Sequence, residues 1–263
     1  MRLGWFKGDQ LVSIVNWVGT PLVIFYVYGM TIHPLFNGAG GWSNLHKVWM
    51  DWQTLNVGVL AFISSLIAFN ISKHHANQQR EREFIAAKSF LPEALSELVA
   101  YFKSSAIVLN EAWWKAKDDS SRKKGPLQSD TPQLPENYKE IFSRCISLAP
   151  PDVSVYLSYI LMRLQVHNAR ITGLFEDFQP NSTMSVLPVN VISYIYSLGE
   201  LQALANKIFD YARGIDDFRD EALNWEDFRN AYRSLNISIG QVDDLEPSTK
   251  LAVGRGSTHG WKT

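Results

Sequence analysis

A single cysteine, Cys145, in 263 residues excludes a disulfide framework and every multi-cysteine zinc site. Charge is scarce and balanced: 25 basic against 26 acidic side chains give a net charge of −1, so no global field favours nucleic acid or another polyanion. Catalytic signatures are missing as well. The chain has no glycine-rich phosphate loop, no G-x-S-x-G, no H-E-x-x-H and no C-x-x-C. Its six histidines are scattered. The adjacent pair His74-His75 would point about 100° apart on a helix, which excludes a shared metal. No metal and no cofactor is expected.

The charge deficit is local. Charged residues make up 19% of the chain, below the roughly 25% of soluble domains, yet only Arg2, Lys7, Asp9, Lys47 and Asp51 fall in the first 72 positions. Between them lie two uncharged stretches, Leu11 to Ile32 and Trp52 to Ser72. At about 1.5 Å per residue each reaches roughly 32 Å, enough for a hydrocarbon core of about 30 Å. A core helix of a soluble protein keeps an outer face that meets water and needs charge there. A cleaved signal peptide has a shorter apolar region, of about 7–15 residues, and a small-residue cleavage site. Tyr28-Gly29-Met30 and His33-Pro34 supply no such site. The pattern predicts a transmembrane hairpin in residues 1–72, with spans at about 11–32 and 52–72.

Basic residues near the span ends set the expected orientation. Arg2 and Lys7 precede the first span, and Lys73, Arg80, Arg82 and Lys88 follow the second, whereas residues 33–51 between the spans hold only Lys47. Both termini are therefore expected in the cytoplasm and the short 33–51 loop in the periplasm. Trp42, Trp49 and Trp52 fit an aromatic belt at the far interface. The polar residues inside the spans, Asn16, Asn56, Ser64 and Ser65, must find partners or avoid lipid. With Gly19, Gly58 and Ala61 they suggest self-association into a homo-oligomer in the bilayer, polar faces inward.

Beyond Ser72 the chain is ordinary in charge and shows helical periodicity with few strand signals, so the fold class is all-α. A cytoplasmic helical domain is expected over 73–239, beginning with a polar stem at 73–91 and interrupted by a flexible loop at 118–135 that carries Arg122-Lys123-Lys124. Pro92 marks a fresh helix start. Asp152 is expected to cap the most periodic helix, and Asn224, with Asp227 three residues on, to cap the last. The glycine-rich remainder, 240–263, reads as a disordered tail. Cys145, among Phe142, Ile146 and Leu148, reads as a buried structural thiol. The acidic echo Asp216-Asp217-Phe218 and Glu226-Asp227-Phe228 lacks the alternating ligands of an EF-hand and reads as a charged rim around two phenylalanines.

Trp52-Gln53-Thr54-Leu55, the polar exit Gln78-Gln79-Arg80-Glu81-Arg82, and Phe90-Leu91-Pro92-Glu93-Ala94-Leu95-Ser96 resemble an uncharacterised family of proteobacterial two-span inner-membrane proteins. Trp225-Glu226-Asp227-Phe228 is similar to their C-terminal helix. The resemblance implies a bacterial inner-membrane location and brings no catalytic residue with it. The expected function is therefore non-enzymatic: a self-associating membrane protein whose helical domain senses or binds a cytoplasmic protein partner, in the setting of a membrane-perturbing effector of phage defence or a toxin system. One alternative is a membrane-tethered ribonuclease, because Arg163 and His167 share a helix face and resemble the Arg/His pair of HEPN ribonucleases, with fewer intervening residues than that class uses. The other is a plain membrane-anchored scaffold.

Overall fold

The computed structural model describes residues 8–36, 41–117 and 125–255, with side chains from Trp17 onward. Among these residues every regular element is helical. The chain divides into two units, Met1–Ala76 and Asn77–Thr263, and the division falls inside one helix. Arg2 and Lys7, Arg122 to Lys124, and positions 256–263 lie outside the described residues.

In the first unit α1 (Gly8–Val27) passes through a π-helical turn, Tyr28–Ile32, into α2 (His33–Phe36). The His33 N–H donates to the Tyr28 carbonyl, five residues back. Pro34 explains the next contact. Proline has no N–H for the carbonyl four residues back, so the Met30 carbonyl is freed. The indole N–H of Trp49 donates to it at 2.9 Å. Trp49 belongs to α3 (Trp42–Asp51), where a loop was expected. Gly41 makes the approach to α3 with φ 43°, in the left-handed region that glycine tolerates. Asn44 Nδ2 donates to the Pro34 carbonyl at 3.1 Å, and Leu45 is buried. α4 (Gln53–Lys88) begins one residue after α3, and Gly19 of α1 lies against it, where a Cβ would sit 3.7 Å from Leu66.

The second unit packs α5 (Leu91–Lys117), α6 (Tyr138–Leu148), α7 (Pro151–Asp177), α8 (Pro188–Ala212), α9 (Trp225–Ser234) and α10 (Leu245–Gly254) around one core. α8 is the central helix. Every residue from Ser197 to Ala205 is buried, more than two full turns, as expected of a helix covered on all sides. α5 and α7 lie against it, and α9 and α10 also contact it. Phe102, Leu109, Leu157, Leu164, Leu198 and Phe228 are among the fully enclosed side chains. Cys145 is in this core, and burial pushes its thiol up to about 11 against the lowering effect of Arg144.

Three further expectations are corrected. The residue before α7 is Pro150 and Pro151 opens it, so Asp152 lies in the first turn, where it acts through the helix dipole rather than as a cap. Part of the expected disordered tail is α10, anchored by fully buried Leu245 and Thr249. The described part of the 118–135 loop is tied down: Glu111 accepts from the Gln128 and Ser129 N–H groups at 2.7 and 2.9 Å and from Ser129 Oγ at 2.6 Å. Lys115 donates to the Gly125 and Pro126 carbonyls. Where α9 was expected, the Asn224–Asp227 capping box is present in both directions.

Candidate functional site

Two groups of polar side chains stand out among the described residues, one in each unit. In the first, Asn56 is 3% exposed among helices that otherwise present apolar side chains outward. Its Oδ1 accepts from the Tyr26 hydroxyl, and its Nδ2 donates to the Trp49 carbonyl at 3.0 Å. That carbonyl belongs to the last turn of α3, which has no intrahelical partner to offer it. Asn56 therefore links α1, α3 and α4, and its amide is satisfied inside the unit. Ser64 and Ser65 point outward on α4, and the Ser65 hydroxyl donates back to the Ala61 carbonyl at 2.9 Å. Gly58 faces open space. The structure thus separates residues that the sequence grouped together: Asn56 and Gly19 belong to the first unit's interior, Ser64, Ser65 and Gly58 to its outside. Asn16 lies in α1, with its side chain outside the described residues.

Two helical runs are long and apolar enough to cross a membrane, one in Trp17–Phe36 and one within Gln53–Lys117. Their mean hydropathies are 1.3 and 1.8 over the best window, and 11% and 6% of those windows is buried. The basic residues after the second run divide by role. Arg80 donates to the Leu148 and Ala149 carbonyls at 3.3 Å, capping the end of α6. Lys88 lies 3.7 Å from the centre of the Tyr211 ring, and burial lowers its ammonium pKa while Asp217 raises it. Lys73 and Arg82 also lie on α4, and Arg82 is exposed.

The second group joins α7 to α8. Arg163 donates from Nε to Glu200 Oε2 at 2.7 Å, with a second, shorter contact from Nη2 to the same oxygen. The Glu200 side chain is 1% exposed, and Tyr159 donates to its other oxygen at 2.8 Å. Arg163 Nη2 and Arg170 Nη1 both donate to Ser197 Oγ, at 3.3 and 3.0 Å. The Arg170 guanidinium carbon lies 5.4 Å from the Tyr194 ring centre. His167, between the two arginines in sequence, is fully buried, edge-on to Tyr101, and neither ring nitrogen has a partner among the described residues. Burial first, then the charges of Arg170 and Arg163, lower its pKa to about 3, so the ring is neutral. Tyr101 bonds instead to Asn168 Oδ1 at 3.1 Å.

The Arg163/His167 pair suggested by spacing is thus not assembled as a reactive pair. Arg163 is committed to Glu200, and His167 offers no nitrogen to solvent. Glu200, Ser197 and Tyr159 escaped the sequence reading. The available signal was a lone carboxylate in the otherwise apolar run Leu198 to Ala205, because a charge there demands a buried partner. The chain matches no protein family, no curated protein and no solved structure.

Proposed function

We propose that the chain is an integral protein of the bacterial inner membrane, with spans at about 11–32 and 52–72, both termini cytoplasmic and residues 33–51 periplasmic. The single observation that supports this is the outward face of the first unit. Twenty large apolar side chains from Trp17 to Ile71 are exposed there. Moving each of them from water into hydrocarbon gains roughly 1 kcal/mol, about 20 kcal/mol in all. A hydrocarbon environment supplies that gain along the whole face.

The hairpin holds the helical domain 73–239 at the cytoplasmic face, where it binds a partner. Self-association runs through the outer face of α4, where Gly58 leaves room for close approach and Ser64 and Ser65 supply hydroxyls. Asn56, already satisfied by Tyr26 and Trp49, is not needed for it. In membranes washed at alkaline pH the full chain stays in the pellet; release into the supernatant overturns the reading. Disulfide cross-linking of Ser65→Cys chains gives dimers that Gly58→Leu suppresses, and equal yields in both remove the proposed interface.

A further inference from the structure

Arg163 and Arg170 stand about two turns apart on α7, and both point at one acceptor, Ser197 Oγ of α8. Two unit positive charges are thereby held within hydrogen-bonding reach of a single hydroxyl. Glu200 is the carboxylate beside them, and Arg163 and Tyr159 occupy both of its oxygens. Arg170 has no carboxylate partner among the described residues; its contacts are Ser197 and the Tyr194 ring. The group therefore carries a net charge of +1 in a half-buried setting, where like charges repel more strongly than in water.

The hydrogen-bonding inventory points the same way. Arg170 spends one of its five N–H groups on Ser197, and no other acceptor takes one among the described residues. The Ser197 oxygen accepts from both arginines, which turns its own O–H away from them, and that O–H has no acceptor among the described residues. The Arg163 Nη1 edge also has no acceptor among the described residues. Arg170, Ser197 and Arg163 thus offer donors, while Ser197 Oγ and both Glu200 oxygens already accept. A planar carboxylate is satisfied by one fork. Donors from three side chains suit an oxyanion with more than two oxygens, and guanidinium forks match phosphate geometry.

We propose that Arg170, Ser197 and Arg163 form a binding site for the phosphate group of a small molecule, either free phosphate or a phosphate ester. Ser197 is 5% exposed, and Arg163 and Arg170 beside it are half-buried. Bound phosphate balances the excess charge and gives the Ser197 O–H its acceptor. The site lies wholly within the helical unit and stands whether or not the hairpin crosses a membrane.

The test is thermal unfolding of the full chain in mild detergent, followed by circular dichroism, with inorganic phosphate, AMP, acetate or sodium chloride at matched ionic strength. Phosphate or AMP raises the midpoint above the chloride control and acetate does not; a larger shift with AMP identifies an ester. Arg170→Gln lowers the phosphate affinity about tenfold or more, the loss of a charge-assisted hydrogen bond. Equal shifts with phosphate, acetate and chloride overturn the proposal, as does unchanged affinity in Arg170→Gln. If Arg170→Gln loses the helical signal, Ser197→Ala decides: reduced affinity supports the site and unchanged affinity removes it.

Discussion

His167 is the residue through which acid acts most directly on the helical unit. Its folded pKa of about 3 lies below the value near 6.5 of an unfolded histidine. Above about pH 6.5 the ring is neutral in both states and adds no pH dependence. Below that the unfolded chain takes up a proton that the folded one refuses, so stability falls with pH until about pH 3, by at most about 1.4 kcal/mol per unit. The groups facing the ring are Tyr101 on α5 and Arg163 and Arg170 on α7. His167→Leu should flatten this acid limb and raise stability at pH 7 by about 1–2 kcal/mol, by removing two unpartnered buried nitrogens. Thermal unfolding across pH 4–7.5 reads both effects. Arg163→Met works in the opposite direction. It leaves the buried Glu200 carboxylate with Tyr159 alone and should cost about 3 kcal/mol, whereas adding Glu200→Leu should recover most of the loss.

At the scale of elements, α8 is set by what presses on it. A Cβ on Gly199 would meet Tyr232 Cε1 at 2.5 Å and Cζ at 3.0 Å. The ring cannot swing away freely, because it is fully buried and its hydroxyl pairs with Thr249 at 2.9 Å. Gly199→Ala should therefore destabilise by about 2 kcal/mol despite alanine's better helix propensity, and denaturant unfolding measures it. Glu111 governs the described loop after α5. Burial would raise its carboxyl pKa, but hydrogen bonds from Ser129 and Gln128, with Lys115, outweigh it and hold the pKa at about 2. That stabilisation is present above the unfolded value near 4.3 and is lost as pH falls towards 2. Glu111→Gln should speed amide exchange at Gln128 and Ser129 at neutral pH, with the difference from wild type closing near pH 2. Element type and many boundaries were legible in the sequence where a local signal exists, as in the Asn224–Asp227 box and the Pro92 start. α3 was not, because the contacts that position it, Trp49 to Met30 and Asn44 to Pro34, come from another segment of the chain. α10 was hidden for the same reason: Leu245 and Thr249 are held by distant packing, in a stretch whose composition reads as a tail. The Arg163–Glu200 pair joins residues 37 apart, beyond the reach of any helical period.

For the whole molecule the question is orientation, and the chain suits a thiol-labelling answer. Its single cysteine is silent: Cys145 is fully buried, and its thiol is pushed up to about 11, so little thiolate forms at neutral pH. New cysteines can therefore be read against an unreactive background without removing the native one. Ser43, exposed on α3, lies in the segment expected in the periplasm, and Ser104, exposed on α5, in the domain expected in the cytoplasm. With the outer membrane permeabilised, a membrane-impermeant maleimide should label Ser43→Cys in intact cells, and Ser104→Cys only once the inner membrane is opened. The physical basis is the distribution of basic residues: Lys47 alone stands between the two uncharged stretches, against two basic residues before them and four within sixteen residues after them. The reverse labelling pattern would mean that this asymmetry does not orient the hairpin. Labelling of both positions from outside would mean that the two apolar helices are covered by something other than a bilayer that separates them from the cytoplasm. Adding arginines to the 33–51 segment should weaken the labelling of Ser43→Cys in intact cells and strengthen that of Ser104→Cys, because the charge difference across the hairpin then shrinks or changes sign.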